Sequence, residues 1–314
     1  MRRVLLSRVL ALVPTLLVVS LVTFSLLHLM PGSPASVILG PDATNAQIVQ
    51  LNQKLGLNHP LLVQYVTWLS HAVRGQFGSS LLNGQSVISM IGEHLPVTLS
   101  LALTGMLLAA IEGLAMGIAA ALRPGGKLDH ALQVVTSFGL AIPGFWLAML
   151  LVIPFALWTR LFPATGYTPI TQNPIQWLHG IALGSIALSI APAAAIARHT
   201  RGALTTTMSQ DFVRAARSRG LSERRALLKH GLKNSSIPVV TIMSYHFAAL
   251  FGGALVVEQV FGLNGIGQLM IASVQDHDIP VVQGLTVIAA VIVIIVNLLV
   301  DVCYGLLDPR VRVS

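Results

Sequence analysis

Long apolar runs alternate with short polar breaks along the chain, and the runs have the length of membrane helices. Crossing the hydrocarbon layer takes about 20 apolar residues in helical form, because a backbone amide in lipid must be satisfied within its own segment. Six stretches reach that length: Leu10 to Met30, Val97 to Leu122, Ala131 to Trp158, Leu178 to Ala197, Ile237 to Val260 and Pro280 to Tyr304. The pattern predicts an all-α, polytopic membrane protein with six transmembrane helices. Arg2 and Arg3 ahead of the first run resemble the start of a signal peptide, but the length of the run and the lack of an A-x-A site favour a retained anchor. Pro14, Pro143, Pro154 and Pro192 fall inside spans and predict kinks, while GLAMG (Gly113 to Gly117) and GIALG (Gly180 to Gly184) offer small faces for close packing.

The polar breaks divide the chain into a start and first span (1–30), a helical segment outside the membrane (31–96) and a five-helix core (97–314) containing a second polar stretch at 198–236. In the first break, Thr44 and Gln47 form a capping-box pattern ahead of Ile48, Leu51 and Leu55, with Gly56 as a stop. Pro60 opens a second helix bearing Leu61, Leu62, Tyr65, Val66 and Leu69. After the turn-rich GQFGSSLLNGQ, Ser86 caps a third short helix running through Val87, Ile88 and Ile91 to Pro96. Such pieces lie on the membrane surface or cover a pathway beneath them.

The second break is an island of charge. Nine basic and two acidic residues fall between Arg198 and Lys233. Ser209 reads as an N-cap, Asp211 suits a first turn, and Gly220 stands where a helix ends in the left-handed conformation. Ser222 caps again, with Glu223 in the first turn, and a second helix follows through Ala226, Leu227, Leu228 and Leu232 to Pro238. Phe212, Ala215 and Ala216 share one face of the first helix, leaving Arg214, Arg217 and Arg219 to water or an acidic partner. Basic residues beside spans serve topology and contact anionic lipid, at about 1 kcal/mol each. A small-residue face and a glycine turn are unnecessary for that, and suit insertion into a groove on a soluble protein.

Composition and charge place these elements. With 54% hydrophobic and 10% charged residues, the chain lies far from soluble domains, where about a quarter is charged. If the N-terminus, the loop of Arg123 and Lys127, the island and the tail share one side, that side holds sixteen of the nineteen basic residues, leaving Lys54, Arg74 and Arg160. By the positive-inside rule both termini and the island are cytoplasmic, and the net charge of +8 calls for no nucleic acid. Cys303 is alone and forms no internal disulfide or structural zinc site, and no two histidines fall at tight ligand spacing in one helix. No G-x-x-x-x-G-K-[ST] string occurs, so the chain is expected to be no enzyme, to bind no cofactor and to hydrolyse no ATP alone. GLNGIG (Gly262 to Gly267) opens no strand-turn-helix unit and is read as a turn; Asn234-Ser235-Ser236 lies on the cytoplasmic side, where glycosylation is absent. No internal repeat marks a self-sufficient transporter, which points to a partner subunit.

Arg214-Ala215-Ala216, three residues, then Gly220 resembles the EAA loop of ABC importer permeases, which reads Glu-Ala-Ala, three residues, Gly. HGLKNSSIPVVT, LHLMPGSPASVIL (Leu27 to Leu39), LGLNHPLLVQYVTWL, VVEQVFGLNGIGQLM and NLLVDVCYGLLDPRVR resemble stretches of the dipeptide, oligopeptide and nickel branch, over nearly the whole chain. The chain is thus similar to the first, B-type, permease of the pair. It departs from the pattern at Arg214, which replaces the motif's Glu, and at Lys233, where many members have Pro. The resemblance implies a multi-pass protein of the prokaryotic inner membrane working with a homologous second permease, two ATP-binding subunits that use ATP and magnesium, an extracytoplasmic substrate-binding protein and the surrounding lipid. It also implies that the 209–235 segment, with Phe212, Arg214, Ala215, Ala216, Arg217, Gly220 and Leu221, couples to the ATPases, and that peptides are imported, with nickel chelates, glutathione or haem as alternatives.

Charged and polar residues within spans are functional candidates by default. Glu112 in the second span, His246 in the fifth, and Asn297 and Asp301 in the sixth are candidates to line the pathway. A membrane-embedded enzyme using Glu112, His246 and Asp301 as acid-base groups is the competing class, and a scaffold or receptor recruiting a cytoplasmic protein through the island is a third.

Overall fold

The computed structural model describes residues 13–25, 34–40, 42–54, 56–220, 222–227 and 231–307. Helices dominate, and no strand occurs among the described residues beyond an isolated bridge between Ser79 and Ser86. They fall into two compact units, one built on 97–263 and from 296 onward, the other on residues up to 96 and on 264–295.

The second of these units carries α1 (Val13–Ser25), α2 (Pro34–Leu39), α3 (Asn45–Lys54) and α4 (Leu61–Ala72). The capping box forms: Thr44 N donates to Gln47 Oε1 at 2.9 Å and Gln47 N to Thr44 Oγ1 at 3.4 Å. Within this unit Tyr65 is buried against α1, its hydroxyl 2.9 Å from Ser20 Oγ and its ring 5.4 Å from that of Phe24. The turn-rich stretch closes as a small loop, with Ser80 N donating to Gln85 O and Val87 N to Gly78 O. Asp278 pins it, accepting from Ser80 Oγ at 2.5 Å and Leu81 N at 3.1 Å. Asp278 lies between α12 (Ile266–Gln275) and α13 (Ile279–Leu307) and is buried.

Helix α5 (Val87–Leu122) begins after Ser86 but does not stop at Pro96, so the separate short helix ending there is not seen. One backbone donor is lost inside the helix, and the turns around it are held by buried Met90, Ile91, Val97 and Leu101. Helix α8 (Pro174–Met208) likewise runs through Pro192, and α11 (Leu232–Val260) through Pro238, where the reading had begun a span. Asn173 caps α8, its Oδ1 accepting from Ile175 N and Gln176 N at 3.1 Å, with Pro174 at the first position, where its missing N–H costs nothing.

The third predicted span is where sequence and structure part most. It consists of α6 (Lys127–Ala141) and α7 (Gly144–Val152), the latter extended by a π-helical turn at Ile153–Trp158, and the two axes meet at 95°. Proline disfavours the α conformation in the residue before it, and here, unlike at Pro96, Pro192 and Pro238, that preference prevails: Ile142 is extended (φ −85°, ψ 121°), as is Pro143 (φ −64°, ψ 132°). Two consecutive extended residues turn a kink into a break. Among the described residues, four helices are individually long and apolar enough to cross a bilayer (α5, α8, α11 from Ser235, and α13), and α6 with α7 passes only as a pair. The first predicted span is described over Val13–Ser25 only.

Within the first unit, α8 is the central element and packs against α6, α7 and α11. The GLAMG glycines set the distance to α5: a Cβ at Gly113 would lie 2.7 Å from Ala193 O, and one at Gly117 2.6 Å from Thr200 Cβ. Only a residue without a side chain permits that approach.

Candidate functional site

The island begins as helix, since α8 continues to Met208, and Ser209 caps the end of α8 instead of starting the next helix; its hydroxyl donates to Thr206 O at 2.8 Å. Helix α9 (Asp211–Ser218) starts from Gln210 in an extended conformation, with Asp211 in its first turn. Gly220 follows at φ +90°, a region that disfavours any side chain, and nothing lies within 4 Å of where its Cβ would stand. The constraint there is backbone conformation alone. The predicted second helix is a single turn, α10 (Glu223–Ala226), and the chain from Leu232 belongs to α11. Leu221 lies outside the described residues.

Burial separates the two sides of α9. Val213 is fully buried, whereas Phe212 is 43% exposed, Ala215 is exposed and Ala216 half-buried. Arg214, Arg217 and Arg219 are exposed as well. Arg214 approaches Asp211 at 3.5 Å, but both side chains stand in solvent, where such a pair contributes little. Val213, which the helical-face argument passed over, is therefore the inward anchor, and the Phe212–Ala215 side is the one left open. After α10, Leu227 packs with Ala121 and Leu204 in a buried cluster flanked by Ile118, Leu122, Met208 and Leu232. That cluster ties the island to the ends of α5 and α8 and the start of α11.

Beside it lies a group the sequence reading did not single out. Asp129 in α6 is fully buried and takes a two-pronged contact from Arg201 in α8, Nε to Oδ1 at 2.5 Å and Nη2 to Oδ2 at 2.7 Å. Gly125 N and Gln133 Nε2 donate to the same carboxylate at 2.8 and 3.0 Å. Farther along α6, Arg198 Nη2 donates to Ser137 Oγ at 2.6 Å and Arg198 Nε to Thr136 Oγ1 at 3.4 Å. Glu258 is also fully buried, and Thr98 Oγ1 donates to it at 2.5 Å. Such pairings, between residues 72 and 160 positions apart, leave no local signal.

Of the four pathway candidates, His246 and Glu112 do not line one cavity. His246 lines a cavity of about 240 Å³ shaped by Phe145 of α7, Ala187, Leu188 and Pro192 of α8, and Gly253 of α11. Asn297 is exposed and accepts from Ser244 Oγ at 2.8 Å. Glu112 is half-buried on α5 and is not among the residues lining that cavity. Asp301 sits in α13, its side chain outside the description. Among the described residues, no three His, Cys, Asp or Glu side chains converge as metal ligands.

Residues 113–313 match the family described as the inner membrane component of binding-protein-dependent transport systems, and residues 1–102 match its N-terminal companion. The chain belongs to this family. Members are permease subunits of ABC transporters, transporters of the inner membrane and not enzymes. The chain is similar to the probable peptide ABC transporter permease protein y4tP of Sinorhizobium fredii, with 38% identity over 98% of both chains. It shares 35% with the oligopeptide transport system permease protein AppB of Bacillus subtilis, over 97% of this chain and 98% of that one. Identity is 39% with the glutathione transport system permease protein GsiC of Salmonella choleraesuis, over 98% of both. The fold resembles an inward-facing structure of the MetNI methionine ABC transporter, with a TM-score of 0.55 and 18% identity over 70% of this chain and 97% of that one. That likeness concerns the fold alone.

Proposed function

We propose that this chain is one permease half of an ATP-driven importer of short peptides. The carrying observation is the end-to-end likeness to relatives named as peptide permeases, 38% over 98% of the chain. Its partners on this reading are a homologous second permease, two ATP-binding subunits and an extracytoplasmic binding protein. ATP and magnesium belong to the ATP-binding subunits; this chain binds neither. The island side, with both termini, faces the cytoplasm, and α1 belongs to a sixth span.

Two features support the assignment of roles. The open side of α9, where exposed Phe212 stands beside Ala215, stopped by Gly220 and anchored inward by Val213, offers an apolar surface suited to a groove on an ATP-binding subunit. Along α11 and α13, Thr241, Ser244, Tyr245 and Asn297 are polar yet exposed or half-exposed in apolar helices, which is costly against lipid. The second permease or the translocation path covers that face, and His246 contributes to the path. Arg214 places a cation where the family motif has Glu, so docking on this chain draws on shape and an acidic partner, not on a carboxylate.

Glutathione is the second reading, favoured by the 39% identity to a permease named for it. Both are tested with the chain co-expressed with its genomic neighbours and purified. Peptide import requires that an ATP-hydrolysing subunit co-purifies and that hydrolysis rises with a binding protein loaded with a tripeptide of ordinary α-linkages. A rise with glutathione alone selects the second reading, and no response to either removes both.

A further inference from the structure

We infer that the Asp129–Arg201 clasp is the joint through which movement of the 209–227 segment is delivered to the broken α6–α7 pair, an inference that rests on the importer reading above. Only Ser209 and Gln210 separate the last residue of α8 from α9, and Leu227 is packed with Leu204 of α8 in the buried cluster. A displacement of the segment therefore acts directly on the end of α8. Arg201 stands on this same stretch, two turns before the end.

What α8 does with that displacement depends on how it is held. On one side α5 meets α8 through close glycine contacts at Gly113 and Gly117, and its hydrogen bonds to α8, Thr104 with Ser185 and Ser100 with Trp177, lie farther from the segment. On the other side Asp129 has both oxygens engaged, each accepting two hydrogen bonds, which fills the four acceptor positions of a carboxylate. Sliding α6 past α8 would leave a fully buried carboxylate without its cation, among the most unfavourable events in a protein interior. Asp129, Gln133, Thr136 and Ser137 lie on one face of α6, at i, i+4, i+7 and i+8, so Arg198 extends the same attachment by two turns. The inner ends of α6 and α8 consequently move as one body.

The far end of α6 is where that body gives way. Ile142 and Pro143 are the only residues between the two helices, both extended, and such positions absorb rotation between rigid elements. Immediately beyond, Gly144 and Phe145 line the cavity that holds His246. Segment, α8, clasp, α6, break and cavity wall form a continuous chain of contacts, in which the clasp joins a fully buried carboxylate to a guanidinium that is 30% exposed. Asp129 and Arg201 are positioning residues on this account and touch no substrate.

The test uses the assembled complex in proteoliposomes, with Cys303→Ser as background and Phe145→Cys as reporter. With the clasp intact, trapping the ATPases with ATP and vanadate should change the maleimide labelling rate at the reporter by roughly fivefold or more. In Asp129→Asn and Arg201→Gln the complex should assemble and hydrolyse ATP, while the nucleotide-dependent change shrinks to within about twofold, its coupling lost. A full nucleotide response in both variants overturns the inference. So does failure of both to assemble, which assigns the pair a purely structural part. A wild-type chain that recruits no ATP-hydrolysing subunit overturns the importer reading itself, and the inference with it.

Discussion

At Gly220 and Gly117 two different constraints exclude side chains. Gly220 has space around it but a φ of +90°, so Gly220→Val strains the backbone of the turn after α9 without disturbing any packed neighbour. Membrane insertion is expected to be intact and transport abolished; uptake assays normalised to protein in the membrane check this, and full uptake would refute the coupling role. Ala216→Trp, on the half-buried flank of the open α9 face, is expected to behave the same way through bulk. Gly117 has an ordinary conformation but no space, with Thr200 Cβ 2.6 Å from the missing Cβ. Gly117→Val should cost about 1–3 kcal/mol by forcing α5 from α8, seen as a lower yield of folded chain and an earlier thermal transition in detergent. Gly220 was legible from its place after a short helical pattern. The contact at Gly117 was legible only as a tendency, because small-xxx-small does not say which helix it faces.

The elements show how local and non-local terms divide the work. The capping box at Thr44 and the helix after Pro60 follow from signals a few residues wide and appear where the pattern puts them, whereas α9 starts from Gln210 and not from a Ser209 cap, because α8 runs on to Met208 and takes Ser209 as its own end. Helix ends that depend on tertiary burial do not: Pro96 and Pro238 read as boundaries but lie inside α5 and α11, where packed turns on either side outweigh one missing hydrogen bond. Pro143 reads as a kink, yet the extended Ile142 makes it a 95° break. Pro143→Ala removes the restriction on Ile142, so α6 and α7 are expected to gain helical continuity, detectable as a longer distance between spin labels at positions 130 and 152. An unchanged distance would show that packing against α8, and not proline, sets the angle. In α9, Val213 became the anchor because the short helix touches its own chain on one side only. Val213→Asp should release the segment and abolish co-purification of an ATP-binding subunit, while Arg214→Ala, on the open side that meets the acidic partner, should weaken co-purification and leave the segment folded.

For the whole molecule, charge predicts the orientation in the membrane. If sixteen of nineteen basic residues share one side, a cysteine at Ser222 should be alkylated by an impermeant reagent only after the inner face is opened, and one at Asn83 in intact spheroplasts. The reverse pattern would invert the topology and place α9 out of reach of any ATPase. The sequence by itself determined the class of protein, the apolar stretches, the charged island and the helix-glycine pattern within it, because each is written in residues adjacent along the chain. Tertiary structure alone decided which side of α9 stays open, that Asp129 meets Arg201 and Thr98 meets Glu258, and that His246 faces a cavity without Glu112. Those outcomes depend on how closely helices approach and at what angle, and that is a property of packed surfaces far apart in sequence, which no local pattern encodes.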